Sequence, residues 1–73
     1  MKIKFFGEDY PEGLECDLPA VPRVGEDVAI MSPAGTVERK VLRVEWNILQ
    51  HGGFVCVLVF LAPPKSTPSI TVL

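Results

Sequence analysis

The 73 residues predict one small all-β domain, a mostly antiparallel five-stranded barrel or strongly curved sheet. Three observations lead there. Residues 37–48 (VERKVLRVEWNI) alternate with a period of two, which marks a half-buried strand. Residues 54–62 (FVCVLVFLA) are apolar on both parities and bounded by Gly-Gly and Pro-Pro, as suits a central strand. The link between the two runs, LQHGG, is hairpin-sized, and its glycines accept positive φ without a Cβ clash.

In the first run Leu42, Val44, Trp46 and Ile48 share one face, expected to be core, while Val41 falls with Arg43, Glu45 and Asn47 on the polar side. In the second run Phe54, Cys56, Leu58 and Phe60 share one face and Val55, Val57, Val59 and Leu61 the other. Each side needs shelter. The set Val55, Val57, Val59 and Leu61 is therefore the candidate interface: either the rest of the chain covers it, or a second copy or partner protein does.

Taken in order, residues 2–6 read as a first strand with Lys2 and Lys4 outward, as on a sheet edge. Residues 7–23 hold three prolines, two glycines and no sustained period. They read as a long acidic loop, with a Pro11–Gly13 turn and with Leu14, Leu18 and Val21 dropping onto the core. Residues 28–31 form a short strand. Ser32, Pro33 and Gly35 then spell a type I turn. The long strand from Thr36 to Ile48 changes its inward parity, which a bulge near Lys40 would repair. Pro63 and Pro64 open a breaker over 63–69, and ITVL at 70–73 reads as a last short strand.

Composition bounds the function. The apolar fraction is 48% and the net charge −2. Residues 1–27 carry seven acids and three bases, and residues 28–73 two acids and four bases, so −4 and +2. The amino-terminal third is expected to form a solvated acidic rim. No signal-like or spanning segment is seen. Cys16 and Cys56 read as two reduced thiols of a cytoplasmic protein, Cys16 exposed among acids and Cys56 buried. His51 is the sole histidine, and no ligand spacing accompanies it, so no metal or other cofactor is expected. No nucleophile–base pair stands out, and Gly52-Gly53 lacks the lysine and helix of a phosphate loop. An enzyme is the least favoured class.

The turn before residues 28–31 (Pro22 to Gly25), the long strand with Val41 to Trp46, and the final run 54–61 together resemble small SH3-like barrel domains. They also resemble short proteins carried by phages and other mobile elements. The resemblance covers residues 21–62 and implies a fold rather than an activity. Two functions stay open. The first is a non-enzymatic protein-interaction module that self-associates, a homodimer or larger homo-oligomer. The alternative is a small barrel holding single-stranded nucleic acid on Arg39, Lys40 and Arg43, although an acidic chain with seven bases is poorly equipped for backbone neutralisation.

Overall fold

The computed structural model describes residues 1–64. Five strands form a strongly curled half-barrel: β1 Lys2–Gly7, β2 Tyr10–Asp17, β3 Asp27–Ser32, β4 Gly35–Ile48 and β5 Phe54–Leu61. The sheet order is β2-β1-β5-β4-β3. Neighbours run antiparallel except β1 and β5, which are parallel, with Ile3 beside Val57 and Phe5 beside Val59. The antiparallel expectation is corrected at that one pair. A chain that inserts β1 between β2 and β5 must run alongside its last described strand, and both strands point the same way.

Five strands were expected and five are seen, but not the same five. The expected strand at 70–73 lies outside the described residues. The expected loop 7–23 instead contains β2. Leu14 lies opposite Phe5, and Cys16 opposite Ile3, so both pack on the core while Glu12 and Glu15 face water. Pro11 and Gly13 obscured the alternation. An outer strand tolerates proline because one side of it makes no ladder bonds. Gly13 has φ +93°, and a Cβ there would stand 3.0 Å from the Phe6 ring, so the ring needs this close approach to the backbone.

The β3–β4 hairpin closes through Pro33 and Ala34, with Ser32 paired to Gly35. The Ser32 hydroxyl accepts from the Ala34 amide at 3.2 Å, a local bond that favours the turn. The bulge in β4 falls at Leu42, between Val41 and Arg43, two residues later than expected. That displacement puts Val41 inward and buries it, where the sequence placed it on the polar side.

The core is Ile3, Phe5, Val41, Val57, Val59 and Leu61. Leu14, Leu18, Val21, Val28, Ile30 and Val44 pack around it, which agrees with the expected anchors at 14, 18 and 21. The barrel does not close, because β2 and β3 are its free edges among the described residues. At one end the β1–β2 turn is clasped to β4. Arg39 donates from Nε and Nη2 to Asp9 Oδ2 and Oδ1 at 3.0 and 3.1 Å. The two side chains are only 17% and 27% exposed, so this planar two-point bond is partly shielded from water. The described residues leave the other end open.

Candidate functional site

The open end is the candidate site, and its geometry comes from β4 and β5. Beyond the Leu42 bulge, Val44 lies opposite Val59 and Trp46 opposite Val57. Val44, Trp46 and Ile48 therefore line the concave side. Among the described residues nothing is laid over Trp46, which is 53% exposed, or over Ile48, 68% exposed. A second irregularity, between Asn47 and Ile48, pairs Ile48 with Phe54 and leaves Val55 as the extra residue. This brings Phe54 to the side of Trp46. Their rings meet edge to face with centroids 6.2 Å apart, a favoured aromatic arrangement.

The connection between β2 and β3 forms the opposite wall. Leu18 and Val21 anchor it to the core, and its Glu26 ties the turn by accepting from the Arg23 amide at 2.6 Å. That bond holds the Glu26 carboxyl below its ordinary pKa. Met1, Pro19, Ala20, Val21, Pro22, Arg23 and Val24 then enclose, with Val44 and Trp46, a groove of about 600 Å³. Arg23 is its sole charged side chain, and it already bonds Glu26. The groove has the chemistry of an apolar contact surface, and among the described residues that line it there is no acid–base pair or nucleophile.

The candidate interface read from the sequence lies elsewhere. Val57, Val59 and Leu61 are buried within the subunit, covered by β1 and β4 on the concave side. Only Val55 is exposed, because it bulges out of the ladder. Cys56, Leu58 and Phe60, on the opposite side of β5, lie on the convex surface and are half-buried. Phe60 stacks on Phe6 at 5.8 Å, Arg43 lies over Phe60 at 4.3 Å and Lys4 over Phe6 at 5.9 Å. The shelter this side needed comes from the stems and charges of basic side chains.

The three bases of the nucleic-acid reading are not gathered on one face. Arg39 points inward to Asp9. Lys40 donates to Asp27 Oδ1 at 3.1 Å and to the Gly25 carbonyl at 3.2 Å. Arg43 covers Phe60 and pairs with Glu45 at 3.3 Å. The acidic rim is likewise largely engaged: Asp9, Glu15, Asp17, Glu26 and Asp27 all make ion pairs. His51 is exposed in the β4–β5 turn, where Gly52 and Gly53 take positive φ. Cys16 and Cys56 are free and half-buried, Cys16 beside Ile3 on the concave side and Cys56 with Asn47 on the convex one. Cys16 was expected exposed, and its strand position explains the difference.

Sequence reasoning missed Met1, Val24, Ile48 and Phe54 as surface residues. For Phe54 the only signal was its place next to the turn glycines, where ladders slip. Comparison with known families, curated proteins and solved structures finds no match. The class defined by fold and surface is thus a small curled-sheet domain with an open apolar mouth. Among the described residues no helix is long and apolar enough to cross a membrane.

Proposed function

We propose that this chain is a non-enzymatic protein-interaction module, cytoplasmic and SH3-like in the course of its strands, that self-associates through the apolar mouth. The single observation behind this reading is the exposure of Trp46, Ile48 and Phe54 side by side at the open end. A lone exposed apolar side chain needs no explanation, whereas a rimmed cluster of aromatics marks a contact surface. Trp is also the side chain most enriched where binding energy concentrates.

Magnitude sets the expected strength. Five large apolar chains, Met1, Val24, Trp46, Ile48 and Phe54, are each 40–68% exposed. Burying the remainder contributes on the order of 1 kcal/mol apiece. About 5 kcal/mol, set against the cost of association, supports a weak and concentration-dependent dimer. Sedimentation from micromolar to millimolar protein tests this. A mass that rises with concentration in the wild type, and rises less in Trp46→Ser, supports the reading. A monomer throughout removes it.

The nucleic-acid alternative draws on one observation, the cations over aromatic rings at Lys4–Phe6 and Arg43–Phe60. Those cations already occupy the ring faces that bases would stack on. Titration with single-stranded DNA and RNA at low salt tests it, and the absence of binding there ends it.

A further inference from the structure

We propose that the free edge of β3 is a second self-association surface, where two copies pair antiparallel about Ala29 and join two half-barrels into one continuous sheet. This deepens the self-association reading and rests on it for assembly beyond a dimer. The pairing itself rests on separate residues.

The backbone accounting comes first. Val41 donates to the Glu26 carbonyl and accepts from the Gly25 amide, both at 2.9 Å, so its polar groups face the β3 side. Lys40 accepts from the Ala62 amide at 2.8 Å, so its carbonyl faces the β5 side. Strand alternation then turns Arg39, Val37 and Gly35 toward β3. Their partners Val28, Ile30 and Ser32 use up their bonds on β4. Asp27, Ala29 and Met31 therefore aim their amides and carbonyls outward. Among the described residues no chain pairs along that edge. Unmade backbone bonds in a row are a template for another strand.

The two edges of this sheet differ. The β2 edge is guarded by Pro11 and by Glu12, Glu15 and Asp17, devices that discourage pairing. The β3 stretch, DVAIMS, has no lysine and no proline, and Met31 is 78% exposed. Its charge pattern permits self-pairing. With Ala29 opposite the partner's Ala29, Asp27 lies opposite Met31 of the second copy, and the two carboxylates stay apart. The three outward residues of each copy meet those of the other, so their amides and carbonyls are satisfied mutually. A two-fold axis through such a contact matches each patch with itself. Combined with the mouth contact, a second two-fold interface carries the assembly beyond a dimer, closing at four where the two axes cross at right angles.

The register makes the test specific. Met31→Asp sets a carboxylate opposite Asp27 of the second copy twice over, whereas Met31→Lys sets an ammonium there. Like charges directly opposite weaken a ladder and unlike charges support it. Ala29→Pro removes an outward amide and no intrachain bond. Each variant is compared with the wild type and Trp46→Ser by sedimentation, with circular dichroism to show that it folds. The expected result is a wild-type assembly larger than a dimer that Met31→Asp and Ala29→Pro reduce to the mouth dimer and Met31→Lys preserves. Met31→Asp should raise the midpoint concentration of edge pairing about tenfold. Equal loss with Met31→Asp and Met31→Lys, or no loss with Met31→Asp and Ala29→Pro, overturns edge pairing. A wild-type dimer split by Met31→Asp but indifferent to Trp46→Ser keeps the edge and discards the mouth. A dimer with the reverse response keeps the mouth and discards the edge. A monomer removes both.

Discussion

Replacing Val57 by aspartate distinguishes a core residue from an interface residue. Val57 is 0% exposed, held between Ile3 on β1 and Trp46 on β4. The substitution forfeits the burial of a valine, about 1.5–3 kcal/mol. It also places an unpaired carboxyl among apolar neighbours. The lysines flanking its neighbour Ile3 are spent elsewhere, Lys2 on Glu15 and Lys4 over the Phe6 ring. Desolvating that group, or keeping it protonated, adds several kcal/mol. A domain of this length has about 4–11 kcal/mol of total stability. The variant is therefore expected to be largely unfolded in water. Urea titration followed by far-ultraviolet circular dichroism reads this directly. A folded Val57→Asp protein with wild-type midpoint, altered only in its assembly, would refute the placement of Val57 in the core and return it to a subunit interface.

Two further predictions concern the tethers. Asp9→Asn breaks the clasp between the β1–β2 turn and β4 and should lower stability by about 1–3 kcal/mol, between the values for exposed and buried ion pairs. Chemical denaturation checks this, and an unchanged midpoint means that the clasp is ornamental. Glu26, with its carboxyl pKa depressed by the Arg23 amide, adds stability that is present above its unfolded-state pKa. That contribution is lost as pH falls through the lower folded-state value. Glu26→Gln should flatten this part of the acid limb, seen by denaturation at a series of acidic pH values, and an identical limb in both proteins contradicts it.

Much of the fold was legible because apolar periodicity reports strands directly. The β4–β5 hairpin is where alternation, β-branching and the Gly52–Gly53 turn placed it. β2 was hidden because Pro11 and Gly13, which argue against an interior strand, are harmless on an edge. Val41 was misplaced because a bulge is a property of the ladder, and only a partner strand fixes which residue it extrudes. Val57, Val59 and Leu61 proved to be core because the two sides of β5 look alike in sequence. Which side bends inward depends on the curl set by β1 and by the Leu42 bulge. Trp46 was given the correct side of its strand but not its exposure. Parity tells where a side chain points, and only the closure of the barrel tells what covers it.

The central claim, that the open mouth buries itself against another copy, is tested most directly by following Trp46 emission and sedimentation on the same samples across a concentration series. Trp46 is the only tryptophan, so its spectrum reports the mouth alone. A blue shift that tracks the rise in mass is the predicted result. A spectrum that stays water-like while the mass rises, or a mass that never rises, contradicts it.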